Sequence, residues 1–377
     1  MLASILLDEC RKAGIDFYTG VPDSFLKGLC DELFARFGTD SPHHIVAHNE
    51  GGAIGLCAGH YLATGKPALC YMQNSGLGNA VNPLTSLTDP QVYSVPCLLV
   101  IGWRGEPGVK DEPQHIKQGA ITLSLLDLLG IPYKILSPDT SAENFHAAFS
   151  CLADTLQYGR PAALVVRKGS LSSNLHPVHV NDASLTREKA AKIILQAAGK
   201  DDCFVSTTGK LSREVFEIRE TRKEDHSRDF LTVGSMGHAS MIALGIAEAK
   251  PERRIWCLDG DGAVMMHLGA LPLIAQRAPA NFVHTVIDNG AHETVGGMPV
   301  CSGALNLTAL AEAAGYKEVI TADSEASLCD ALKKAASLPG PLFLVIRCAC
   351  GARSDLGRPT TTPIQNRDSF MNYLKDG

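Results

Sequence analysis

The chain has 377 residues, 45% hydrophobic and 20% charged, with a formal net charge of −6. This composition is globular rather than disordered, and the length suffices for two domains that each bury a core. The acidic balance argues against a general nucleic-acid-binding surface, and no apolar run reaches membrane-spanning length.

In chain order, "MLASILLDECRKAGIDF" reads as an amphipathic helix rather than a signal peptide. Strands are expected at "IDFYTG", "HHIVAH", "ALCYM", "CLLVIGW", "YKILS" and "AALVVRK". Helices fall between them, as in "DSFLKGLCDELFARF" and "EGGAIGLCAGHYLATG". Continuous apolar strands separated by helices predict a parallel sheet covered on both faces. The polar, turn-rich stretch "KGSLSSNLHPVHVNDAS" interrupts the pattern and reads as a linker, residues 171–184, between domains 1–170 and 185–377. The alternation resumes with "DCFVST", "DFLTVG", "RIWCLDG", "NFVHTVIDN", "YKEVIT" and "PLFLVIR". The expected fold is therefore α/β, with two doubly wound parallel-sheet domains that lack a clear sequence repeat. A tail with few strand signals follows. Of twelve cysteines, Cys57, Cys70, Cys97 and Cys257 lie inside apolar runs, which suits free thiols in a reducing, cytoplasmic setting. Cys348 and Cys350 form C-x-C, not a paired zinc pattern.

Open parallel sheets bind ligands at the carboxyl ends of their strands. Asp23, Glu50, Asn74, Arg104, Asp261 and Asn289 all fall at such ends. In "RIWCLDGDGAVMM" a strand turns into a helix through Gly260-Asp261-Gly262, and the helix start at Gly262 and Ala263 offers free N–H groups that suit a phosphate. A phosphate beside the Asp261 carboxylate calls for a bridging cation, with Mg²⁺ the usual one and Mn²⁺ an open alternative. Asn289, ending the next strand, offers a second oxygen. Taken alone, Asp261 is equally a turn residue and Asn289 a strand terminator; the pairing of the two favours a metal.

Gly260-Asp261-Gly262 followed by Asp288-Asn289 resembles the diphosphate–metal motif of the thiamine-diphosphate enzymes, with Asp288 where that family usually has a first asparagine. The resemblance implies that Asp261, Asn289 and the main-chain carbonyl of Ala291 ligate Mg²⁺. It implies that Glu50, opening the small-residue helix "EGGAIGLCAGHYLATG", hydrogen-bonds the aminopyrimidine ring of the cofactor. In "LTVGSMGHASMIALGIA", Met236 would wedge between the cofactor rings and the Gly234 carbonyl would accept from the amino group. "STTGKLSRE" is similar to the diphosphate-side loop, with Thr208, Gly209 and Lys210 as candidates. Asn74 is included among the cofactor-binding candidates. In this family the pyrimidine and diphosphate sites come from different subunits, so at least a homodimer is implied. The two domains would have the thiamine-diphosphate-binding fold, and the middle domain common in the family is missing. This narrows the resemblance to a subset of decarboxylases.

Three further stretches bear on the substrate. "TGVPDSFL" presents Asp23, "GWRGEPGVKDEPQH" carries Arg104, Lys110 and His115, and "RSDLGRPTTTP" carries Arg358. Each is equally a solvated loop, but basic side chains with hydroxyls suit a phosphonate or sulfonate. These segments resemble the decarboxylases of small 2-keto acids bearing such a group. Asp23, and His115 or His292, would manage protons. Phosphonate against sulfonate substrate, a carboligase and a non-catalytic cofactor-binding subunit all stay open at this point.

Overall fold

The computed structural model describes residues 1–39, 41–300 and 305–375, with only the backbone described for Thr294. The chain divides into two compact units, Met1–Val178 and His179–Gly377.

The first unit holds six strands: β1 (Tyr18–Gly20), β2 (His44–Val46), β3 (Ala68–Gln73), β4 (Cys97–Gly102), β5 (Tyr133–Leu136) and β6 (Ala162–Val166). All pair in parallel, in the order β2-β1-β3-β4-β6-β5. The second unit holds β7 (Cys203–Ser206), β8 (Asp229–Leu231), β9 (Ile255–Gly260) and β10 (Phe282–Asp288). It continues through β11 (Ala291–His292), β12 (Met298–Pro299), β13 (Glu318–Ala322) and β14 (Leu342–Arg347). Its main sheet runs β8-β7-β9-β10-β14-β13, also all parallel. Counted from the first strand of each unit, the two orders are the same: second, first, third, fourth, sixth, fifth. Two units without a visible sequence repeat thus share one topology. Each of the twelve apolar runs forms a strand of these sheets.

The central strands are buried on both faces, which is why they read as unbroken apolar runs. In the second unit their side chains alternate between two cores. Trp256, Leu258, Val283, Ile287, Leu342 and Leu344 enter one. Ile255, Cys257, Phe282, Val286 and Phe343 enter the other. The edge strands β5 and β13 are partly exposed, as their mixed composition requires.

Because every strand of the main sheets runs the same way, the polar residues singled out above gather at carboxyl ends. β1 leads to Asp23, β2 to Glu50, β3 to Asn74 and β4 to Arg104, while β9 leads to Asp261 and β10 to Asn289. The 171–184 stretch is not a loose tether. Ser172 bridges to Leu2 in parallel, and the Asn181 amide donates to the carbonyls of Asn289 and Cys348, each at 2.9 Å. Main-chain pairing and one amide hold it down, neither of which its polar composition reveals. The tail forms a helix, Pro363–Lys375, whose Asn366 side chain bonds the Leu231 N–H and the Asp229 carbonyl at the β8 edge.

Behind β8, Arg219 is 1% exposed and grips the fully buried Asp229 with two bonds of 2.9 Å, while its Nη1 reaches Glu224 at 2.6 Å. Removing one partner strands a charge away from water. Arg219→Met should lower the unfolding free energy by about 3–5 kcal/mol, and Arg219→Met with Asp229→Leu should recover much of it. Urea unfolding followed by circular dichroism checks both.

Candidate active site

In the first unit, Asn49 caps the helix Glu50–Thr64 by accepting from the Gly52 N–H at 2.7 Å. The cap fixes where the helix begins and so where Glu50 stands. Glu50 is 5% exposed, and its Oε2 accepts from Asn79 Nδ2 at 2.8 Å. Gly76 lies against its carboxyl group, where any Cβ would overlap it.

Asp23 is fully buried. Its Oδ1 accepts from Gln73 Nε2 at 2.6 Å and its Oδ2 from the Phe25 N–H at 2.9 Å. Burial pushes this carboxyl above its ordinary value, against the opposing pull of the Gln73 and Phe25 bonds and of the Arg104 charge. It therefore holds its proton further towards neutral pH than a surface aspartate.

Asn74 has a fully buried side chain. Its Nδ2 donates to the Arg104 carbonyl at 2.8 Å and to Thr122 Oγ1 at 2.9 Å, and its Oδ1 accepts from the Arg104 N–H at 3.2 Å. It clamps the loop after β4. The Arg104 guanidinium, a substrate candidate from the sequence, uses two nitrogens on Asp111, Nε to Oδ2 at 2.8 Å and Nη2 to Oδ1 at 2.5 Å. Burial alone would raise the Asp111 carboxyl, but Arg104 and the main-chain N–H groups of Glu112 and Gly105 hold it well below the usual range. Lys110 is exposed on the same loop.

His115 is 8% exposed at the start of helix Pro113–Leu128. Burial, aided by the Arg104 charge, lowers its pKa to about 4. In the second unit, burial likewise lowers His292 to about 4. Both rings are neutral at pH 7.

The second unit builds its cluster from the ends of β7 to β10. Thr208 Oγ1 accepts from the Gly234 N–H at 3.0 Å, joining the loops after β7 and β8. The latter loop coils tightly: Gly234, Ser235 and Gly237 have φ of 73°, 48° and 86°. Ser235 in this left-handed region is strained, a common property of binding loops. Met236 Cε, His292 Cε1 and Val300 Cγ1 surround Gly262, each 3.5–3.6 Å from where its Cβ would stand. Asp261 is 3% exposed, and its Oδ2 accepts from the Gly290 N–H at 3.0 Å, which draws the ends of β9 and β10 together. Asn289 is 5% exposed, with its Oδ1 accepting from the Ala291 N–H at 3.1 Å and its Nδ2 directed at Glu293 Oε2, 3.3 Å away. The buried Thr207 Oγ1 beside them has no hydrogen-bond partner among the described residues. Arg358 is exposed, on a segment tied to helix Lys210–Arg222 by the Gly357 N–H and Glu217.

Several supporting residues carried no sequence signal of their own. Asn79 holds Glu50, Gln73 holds Asp23, and Asn181 holds the Asn289 carbonyl. Glu293 links Asn289, Lys210 Nζ at 3.1 Å and the Gly351 N–H at 2.7 Å. Below the Gly260 turn, Cys257, Asp259 and His284 lie together in the core, and Asp259 Oδ1 accepts from the Gly260 N–H at 3.0 Å. Only proximity to a motif marks Glu293 and Asp259 in advance.

Fold and site define a cofactor-dependent enzyme class, and comparison with known proteins gives its family. Residues 1–125 match the N-terminal TPP binding domain of thiamine pyrophosphate enzymes and residues 207–346 match the C-terminal TPP binding domain. The chain belongs to the thiamine pyrophosphate enzyme family. It is 36% identical over 378 residues to the phosphonopyruvate decarboxylase of Streptomyces viridochromogenes, covering 96% of this chain and 92% of that one. With the phosphonopyruvate decarboxylase of Streptomyces hygroscopicus the identity is 34%, over 99% of this chain and 94% of the other. With the sulfopyruvate decarboxylase of Methanosarcina acetivorans it is 27%, over 87% and 86%.

The depressed pKa of His115 has a consequence for stability. Between about pH 4 and 6.5 the unfolded chain binds a proton that the folded chain refuses, so stability is full above pH 6.5 and falls as pH drops. The loss at pH 4 should be about 3 kcal/mol. His115→Gln should flatten that part of the stability–pH curve in denaturant unfolding, and the wild-type His115 ring should titrate near pH 4 by NMR.

Proposed function

We propose that this chain is a thiamine-diphosphate- and Mg²⁺-dependent decarboxylase that converts 3-phosphonopyruvate to phosphonoacetaldehyde and CO₂. The observation that carries this reading is resemblance along nearly the whole chain to two phosphonopyruvate decarboxylases, greater than that to the sulfopyruvate decarboxylase. The residues present fit the cofactor. Asp261, Asn289 and the Ala291 carbonyl are hard oxygen donors of the kind Mg²⁺ takes together with phosphate oxygens. The unpartnered Thr207 hydroxyl and the main chain at Thr208, Gly209, Gly260, Gly262 and Ala263 suit a diphosphate. Met236 over Gly262 suits a wedge between two rings.

When bound, the cofactor supplies an electron sink for the breaking carbon–carbon bond. The chain's own residues do the rest. Glu50 would hydrogen-bond the pyrimidine ring through a carboxyl group that Asn79 and Gly76 hold in place. Asp23, whose carboxyl burial pushes above its ordinary value, would supply a proton towards the product carbon. Neutral His115 and His292 orient by hydrogen bonding, without adding charge. We assign residues 1–170 to the pyrimidine side and 185–377 to the diphosphate side, completed across a homodimer. We assign the enzyme to the cytoplasm, which suits its eleven described free cysteines.

Incubation with phosphonopyruvate, thiamine diphosphate and Mg²⁺ should release CO₂ and aldehyde, and sulfopyruvate should turn over more slowly. Faster turnover of sulfopyruvate would reverse the substrate assignment. Glu50→Gln should bind cofactor yet lose about 10²–10⁴-fold in rate. Asp261→Ala should fail to bind cofactor at all, as read by quenching of tryptophan fluorescence, and chelation of divalent ions should reproduce that loss in the wild type.

A further inference from the structure

The loop after β4 holds an arginine more firmly than a surface loop needs. Asp111 is a hub: its two oxygens accept from Arg104 Nε and Nη2, from the Gly105 N–H at 2.9 Å and from the Glu112 N–H at 2.8 Å. The Arg104 main chain is pinned separately by Asn74, through both its N–H and its carbonyl. Gly105, at φ 69°, and Gly119 permit the loop to lie against the following helix, where a Cβ on either would overlap opposing backbone. Phe25 covers one face of the guanidinium, 4.8 Å from its carbon.

Of the five guanidinium N–H donors, one on Nη2 and the Nη1 end are left by Asp111. Nη1 donates to Ser24 Oγ at 3.1 Å, at an exposed edge. Ser24 accepts that bond, so its own hydroxyl hydrogen is available to donate outward. One remaining N–H of Nη1 and the O–H of Ser24 form a pair of fixed donors, immediately after Asp23 and between the ends of β1 and β4. The neighbouring charged groups are Asp23, Asp111 and Glu112, with Lys110 exposed beside them. An arginine locked in plane by a carboxylate loses little freedom when it meets an anion, and its free edge suits a tetrahedral oxyanion.

We propose that Asp111 is a positioning residue that sets Arg104 Nη1 and Ser24 Oγ as the recognition edge for the phosphonate oxygens of the substrate. The pair thereby selects a phosphonate-bearing keto acid over pyruvate. The inference rests on the phosphonopyruvate reading above.

The test uses the holoenzyme with thiamine diphosphate and Mg²⁺. It compares wild type, Asp111→Asn and Ser24→Ala with phosphonopyruvate as substrate and pyruvate as substrate or competitive inhibitor. Loss of a charge-assisted bond should raise KM for phosphonopyruvate about 10–100-fold in Asp111→Asn, and somewhat less in Ser24→Ala. In both variants kcat, the pyruvate constant and the cofactor affinity should stay within about twofold. Parallel losses for the two ligands, or a changed cofactor affinity, would reduce Asp111 to a loop brace and overturn the proposal. Ser24→Ala leaves the clamp intact, so unaltered selectivity in that variant overturns it even should Asp111→Asn fold poorly. A wild type that ignores phosphonopyruvate sinks the functional reading and this inference together, whereas an active wild type with unaltered variants sinks this inference alone.

Discussion

The Gly290 N–H to Asp261 Oδ2 bond is the constraint on which the second unit's site depends. It couples the ends of β9 and β10, so Asp261 and the neighbouring Asn289 cannot drift apart. Asp261 is almost wholly removed from water, and a carboxylate in that position is costly without partners. Around it the structure adds further support. Asp259 fixes the Gly260 N–H from below, Glu293 engages Asn289 from the side, and Asn181 holds the Asn289 carbonyl.

The shared strand order gives the two units a common logic. The loops after β1 and β7 are topologically equivalent, and they carry Asp23 and Thr208. Those after β2 and β8 carry Glu50 and the Gly234–Met236 turn. Those after β3 and β9 carry Asn74 and Asp261, and those after β4 and β10 carry Arg104 and Asn289. In each unit the third-strand residue is bonded to the loop of the fourth strand, Asn74 to the Arg104 main chain and Asp261 to the Gly290 N–H. One device, tying neighbouring strand ends with a buried polar side chain, serves both.

This equivalence shows what was legible in the sequence. Strands buried on both faces leave unbroken apolar runs, and all twelve could be read. Glycines beside Glu50 and Asp261 single out both carboxylates as candidates in the sequence, because they mark close approach by another group. The clamp made by Asn74 was not legible. A polar residue at a strand end looks the same whether it meets a ligand or a clamp, and its partners Arg104 and Thr122 lie 30 and 48 residues away. Asp111 was hidden in a run of charges that resembles a solvated loop. The β11–β12 ladder pairs only Ala291 with Pro299 and His292 with Met298, too short for any periodicity.

Arg104 lies near Asp23 in a chain with a net negative charge. A guanidinium near a carboxyl favours the charged form of that carboxyl. Asp111 takes Arg104 Nε and Nη2 through two short bonds. Asp23 then takes its hydrogen bonds from Gln73 and the Phe25 N–H, and burial can raise its pKa although a guanidinium is near. Asp23 follows β1 and Arg104 follows β4, two strands separated by β3, and Asp111 supplies the carboxylate that pairs with the guanidinium.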